Sequence, residues 1–193
     1  MITSLATIKE RLRLAAAVHD AMAESGAASI AAAADLIANC FRRHGKVLLC
    51  GNGGSAADCQ HMATELVSRL DSRRERPALP AIALTTDTSF LTAFANDSGF
   101  EGVFQRQVEA LGAAGDVLFA ISTSGNSANV LRAVETARQR KMATVGLTGE
   151  GGKLASAVEQ AIVVPSRDTQ RTQEAMLAIE HILSDLVETA LFP

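Results

Sequence analysis

The stretch Lys46–Leu70, KVLLCGNGGSAADCQHMATELVSRL, constrains the fold more than any other part of the chain. It opens on a short apolar run, Val47–Cys50, bounded by Gly51. Such a run fits a buried parallel strand, although a buried helical segment has the same periodicity. Gly51-Asn52-Gly53-Gly54-Ser55 must then turn, and its glycines permit positive φ and close approach of the backbone to a ligand. From Ala56 to Leu70 a polar–apolar pattern without Gly or Pro predicts a helix, with Ser55 as its N-cap. Strand, glycine loop and helix N-terminus together suit an anion, because free N–H groups and the helix dipole point at it. His61 and Glu65, at i and i+4, share one face of that helix.

The chain has 193 residues, enough for one sizeable domain, and 48% are hydrophobic against 20% charged. No apolar run reaches the roughly 18 residues of a membrane helix. Met1–Arg13 lacks the charged-then-apolar order of a signal peptide, so the cytoplasm is the expected location and no membrane partner is expected. Cys40, Cys50 and Cys59 match no metal or redox spacing and read as reduced, packed thiols. A net charge of −3 argues against direct nucleic-acid binding. Arg73, Arg74 and Arg76 form the densest basic cluster, explained equally by a solvated loop or a partner site. With no Trp or Tyr, an aromatic platform for a sugar ring is not expected, and a ligand must be held by hydrogen bonds and charge.

Taken in order, Ile8–Met22 and Ala27–Arg43 have helical spacing and are separated by Ser25-Gly26. They predict a helical hairpin over residues 1–45, packed on the sheet or building a subunit interface. The α/β core over 46–193 follows. Further strands are expected at Ala81–Leu84, Asp116–Ile121, Ala143–Leu147 and Ala161–Val164. Helices are expected over Ser89–Ala95, Phe104–Leu111, Ala128–Arg140, Lys153–Ala157 and Asp168–Leu191, with a turn at Asn96-Asp97-Ser98-Gly99. In the last helix Ala175, Leu177, Ile179, Ile182, Leu183, Leu186 and Val187 form the expected buried stripe. Alternating strands and helices give a doubly wound, five-stranded parallel sheet. Ligands in such sheets bind beyond the carboxyl ends of the strands.

Two polar loops, 51–55 and Ser122-Thr123-Ser124-Gly125-Asn126-Ser127, fall at carboxyl ends and should open on one edge. The short hydroxyls of the second suit a phosphate. Neither loop contains Lys, so neither is a Walker A site. The plain alternative for one loop alone is a capped turn. Gly51–Ala56 also fits G-x-G-x-x-A, but a dinucleotide site wants an acid about 20 residues on, and the first acid after the second strand is Asp87. His61 and Glu65 can bind a metal or move protons, or form an ordinary surface pair. His181, flanked by apolar residues, reads by itself as a core or interface histidine.

These residues carry a resemblance. CGNGGSAADCQHMATEL, RPALPAIALTTDTSFLTAFAND, GDVLFAISTSGNSANV and the Gln173-Glu174 to His181 region resemble the sedoheptulose 7-phosphate (phosphoheptose) isomerases of the sugar isomerase (SIS) superfamily. The resemblance spans nearly the whole of 1–193. It implies a single SIS domain, a three-layer αβα sandwich, and an aldose–ketose isomerase at an early step of nucleotide-activated heptose synthesis. It also implies a homotetramer with active sites between subunits. Matched by motif, Asn52, Gly53, Gly54, Ser55, Asn96, Asp97, Ser122, Thr123, Ser124, Ser127 and Gln173 would hold the sugar phosphate. Glu65 would contact the substrate as general base, with His181 as acid/base partner. A zinc ion would fall to His61, Glu65, Gln173 and His181. Where the family often has His, this chain has Met176. Gln173 and His181 lie about 12 Å apart along a straight helix, so an irregular helix start or a neighbouring subunit is expected. Leu191-Phe192-Pro193 and the Arg76–Leu84 segment are similar to a non-catalytic SIS protein, the DnaA initiator-associating protein. That relative lacks the acid and histidine assigned here to catalysis.

Overall fold

The computed structural model describes residues 4–193. A parallel five-stranded sheet is formed by β1 (Val47–Cys50), β2 (Ala81–Ala83), β3 (Val117–Ser122), β4 (Ala143–Gly149) and β5 (Gln160–Val164), in the order β2-β1-β3-β4-β5. Around it lie α1 (Leu5–Arg42), α2 (Gly54–Val67), α3 (Thr88–Ser98), α4 (Val103–Leu111), α5 (Ala128–Gln139), α6 (Leu154–Ala157) and α7 (Thr169–Leu191). The strands are continuous apolar runs because both faces are covered; every residue of β1 and β3 is buried. Leu49, Phe119 and Val145 pack with α1, α2 and α7 on one face, and Leu48, Leu118 and Ala120 with α4 and α5 on the other. Truncating any of these leucines to Ala costs about 2–5 kcal/mol. This is the expected three-layer sandwich.

The strand order reverses at β1. β2 lies on one side of it and β3 on the other, and the chains leaving β1 and β3 diverge to opposite faces of the sheet. A crevice therefore opens between their carboxyl ends, where open α/β sheets take ligands. The loops expected to bind phosphate flank that crevice.

The expected N-terminal hairpin is instead one 38-residue helix, α1. Gly26 does not break it. Glycine costs about 1 kcal/mol inside a helix, but this one is buried and the Met22 side chain folds over the space a Cβ would fill. Met22, Ile30, Ala34, Ile37 and Phe41 join the core, and that packing outweighs the local penalty. By length and composition α1 could cross a membrane; its second half is instead buried against α7 and β5, as in a core helix.

Asn96-Asp97-Ser98 belong to the last turn of α3 rather than to a loop, and Gly99, at φ 90°, ends the helix. Asp87 caps α3 through a 2.9 Å bond accepted from the Phe90 N–H. In α7, Leu177, Ile182 and Leu186 are exposed, whereas Met176 and Glu180 are buried with Ala175, Ile179, Leu183 and Val187. The buried face is rotated by about one residue from the expected stripe because α7 packs against α2 as well as α1. Cys40, Cys50 and Cys59 are free and buried, and burial pushes the Cys50 thiol up to about 12.

Candidate active site at the crossing of two helices

Gly53, at φ 58°, is the N-cap of α2, in place of the expected Ser55. Ser55 lies buried in the first turn, where an added Cβ on Gly51 would meet its backbone carbonyl at 2.8 Å. The loop therefore wraps tightly under the helix start, where the first N–H groups of a helix lack intrahelical partners. On the neighbouring strand end, the hydroxyls of Ser122 and Ser127 are 3.1 Å apart. Ser124 Oγ accepts from the Asn126 N–H, and Gly125 turns the chain at φ 64°. The two loops are joined by a residue that sequence reading did not select. Asn52 and Asn129 donate to each other's amide oxygen, each bond 2.9 Å long. Asn129 is buried at the start of α5 and carries no local pattern that would reveal its partner.

The chemical groups meet where α2 crosses α7. The Nε2 atoms of His61 and His181 are 2.8 Å apart, with the rings edge to face at a centroid distance of 4.9 Å. His61 Nε2 lies 3.6 Å from Glu65 Oε1. One donor atom from each of His61, Glu65 and His181 falls within 4.8 Å of the others, all from a single chain. The half-exposed position of His61 leaves the group open to solvent. Two imidazoles and a carboxylate in this arrangement match a zinc site with an open position, and equally match an acid/base pair.

Gln173 is not in that cluster. α7 is regular from Thr169, so Gln173 stays about two turns from His181. Its Nε2 donates to Asp58 Oδ2 at 3.2 Å. Asp58 was also missed, although it precedes His61 by three residues on the same helical face. Burial raises its pKa, and the bond from Gln173 and the nearby His61 oppose that. A cleft of about 490 Å³ opens beside Asp58, Gln173 and Glu174. Met176, at the position often His in the family, is fully buried in the core and offers nothing to the cleft. Asn96 and Asp97 are exposed at the end of α3, where the Asn96 amide donates to the Asp97 carboxylate at 2.8 Å.

Glu180, the residue before His181 in α7, is 1% exposed, with neither carboxylate oxygen hydrogen-bonded among the described residues. Burial first, then the charge of Asp58, pushes its pKa up to about 9, so it is neutral near pH 7.

A family model described as the SIS domain matches residues 12–149. A phosphoheptose isomerase of Roseiflexus sp. (strain RS-1) is 56% identical over 170 residues, covering 88% of this chain and 85% of that protein. The structure of a phosphoheptose isomerase from Francisella tularensis superposes with a TM-score of 0.92 at 38% identity, covering 97% of this chain and 100% of that one. The phosphoheptose isomerase structure from Neisseria gonorrhoeae gives 0.84 at 43% identity, covering 95% and 96%.

Proposed function

Because this chain belongs to the phosphoheptose isomerases of the SIS domain family, we propose that it interconverts D-sedoheptulose 7-phosphate and D-glycero-D-manno-heptose 7-phosphate through an enediol. It is an isomerase of heptose metabolism. The non-catalytic reading falls away: the relatives are named as isomerases, and the acid and histidine that reading must lack are present and adjacent.

The observation that carries the mechanism is the convergence of Glu65, His61 and His181, on a helix whose other end starts from the glycine loop. In this reading Gly53, Gly54, Ser55, Ser122, Thr123, Ser124 and Ser127 hold the phosphate, with Asn52, Asn96, Asp97 and Gln173 on the sugar. Binding energy from the remote phosphate positions the open-chain sugar at the reacting end. The Glu65 carboxylate takes the proton from the carbon next to the carbonyl and returns it to the neighbouring carbon. His181 moves the proton between the two oxygens, so that no charge accumulates on the enediol.

The donor set of His61, Glu65 and His181 also fits the zinc ion that the family resemblance implies, and Gln173 is the candidate fourth ligand if it leaves Asp58; a donor atom that held the ion would not carry a proton, so Glu65 would keep its other carboxylate oxygen for the substrate, and His181 its other ring nitrogen. Bound there, zinc would supply Lewis-acid polarisation of the substrate's oxygens. Residues 1–193 are read as one SIS domain, α7 adding His181 beyond the matched segment. The chain is placed in the cytoplasm, as a homotetramer with active sites between subunits. Support for assembly comes from α3, which has no buried residue, and from exposed Leu177, Ile182 and Leu186 on α7.

Incubation of the purified protein with D-sedoheptulose 7-phosphate should yield the aldose, detected by NMR. Glu65→Gln should lower kcat by at least about a hundredfold while leaving folding and assembly intact. No aldose from the parent protein would overturn the function; undiminished turnover in the variant would overturn the role of Glu65.

A further inference from the structure

The arginine cluster of the 71–80 loop divides in the structure. Arg73 is exposed and pairs with Asp71, its neighbour in the loop. Arg76 is different. Its side chain and that of Glu188 are both fully buried. Arg76 Nε donates to Glu188 Oε1 at 2.8 Å, and Nη2 lies 2.7 Å from the same oxygen. Glu188 Oε1 also accepts from the Leu70 N–H at 2.9 Å. Nη2 further donates to the backbone carbonyl of Glu65 at 2.7 Å, and Nη1 to that of Pro77 at 3.0 Å. Only a planar fork of several donors makes this set; a lysine ammonium does not.

The location gives the pair its consequence. Glu65 is in the last turn of α2, where helix carbonyls lack partners. Arg76 supplies the partner for Glu65 itself. Glu188 lies about two turns beyond His181 on the same side of α7. The pair thus ties the end of α2 that carries Glu65 to the helix that carries His181. A buried ion pair adds little net stability over an apolar pair of the same shape, and its best-attested use is to set register.

We propose that Arg76 and Glu188 are positioning residues for the isomerisation: they set the axial register of α2 against α7 and so the placement of Glu65 relative to His181. This rests on the reading of Glu65 as base. The phosphate loops lie at the opposite end of α2, so the pair should act on turnover and not on substrate capture.

The test uses the full chain and three variants: Arg76→Lys, the double variant Arg76→Met/Glu188→Met, and Glu65→Gln as a control of the premise. Thermal unfolding is measured together with kcat and KM for D-sedoheptulose 7-phosphate. The double variant removes both charges together and leaves neither one buried alone, but it also strips the Leu70 N–H and the Glu65 carbonyl of their partners; it should fold with a melting temperature lowered by several degrees. Its kcat, and that of Arg76→Lys, should fall roughly ten- to a hundredfold, as expected for a misplaced reacting group, with KM within about twofold. Folded variants with parental kcat overturn the proposal. So do equal losses in kcat and substrate affinity, which denote general loosening, and so does failure of both pair variants to fold, which makes the pair a folding element. If Glu65→Gln itself turns over normally, the premise has failed and not the coupling.

Discussion

Asn52 and Asn129, 77 positions apart in the chain, form a closed two-bond amide pair that bridges the loop after β1 to the helix after β3. Each amide uses one donor and one acceptor on the other, so neither can be replaced without leaving a polar atom unpaired. Leaving a buried amide unpaired costs about 1–3 kcal/mol. Asn129→Ala should therefore raise KM for the sugar phosphate by roughly tenfold, with a smaller change in kcat, because the hydroxyl loop loses its register against the glycine loop. Steady-state kinetics with an unchanged KM would mean that the pair holds the fold and not the phosphate cradle.

Gly54 is adapted to a neighbour. A Cβ there would sit 2.0 Å from Gln173 Nε2. The obstacle is the far end of a flexible side chain, so Gly54→Ala should fold, with stability changed by under about 1 kcal/mol. Gln173 would be pushed off Asp58. A fall in kcat/KM of about tenfold is expected from the lost contact, and an unchanged value would remove Gln173 from the site.

Glu180 carries a pH dependence whose direction is set by burial. In the folded chain it ionises near 9, against its ordinary value of 4.5. Between those values the unfolded chain has released the proton and the folded chain still holds it. Folding then takes up a proton, so the stability contributed by the neutral acid is full below about 4.5 and is lost as pH rises toward 9. Glu180→Gln keeps the shape without the titration. The melting temperature of the variant relative to the parent should climb steadily across that range, and a constant difference would signal an ordinary carboxylate.

The cluster of His61, Glu65 and His181 should bind Zn²⁺. Isothermal titration of the metal-free protein should show saturable binding, weakened at least about tenfold in His181→Ala, as for loss of one ligand of a small set. Prior treatment with a chelator should restore the titration in a protein purified with metal. Equal affinity in parent and variant would place any bound zinc elsewhere.

The order of strands and helices was legible from the sequence because each depends on local pattern. Val47–Cys50, Val117–Ser122 and their glycine and serine loops are written in consecutive residues, and parallel strands must put those loops on one edge. His61 and Glu65 are likewise neighbours by helical geometry alone. What only the tertiary structure decided were the pairings between segments far apart in the chain. These are the meeting of His61 with His181, the amide exchange of Asn52 with Asn129, and the burial of Arg76 on Glu188. Periodicity records which face of an element leaves water, not which partner it meets. For the same reason Gly26 read as a break: its helical cost is local, whereas the packing that overrides it comes from α7 and β5, more than a hundred residues away.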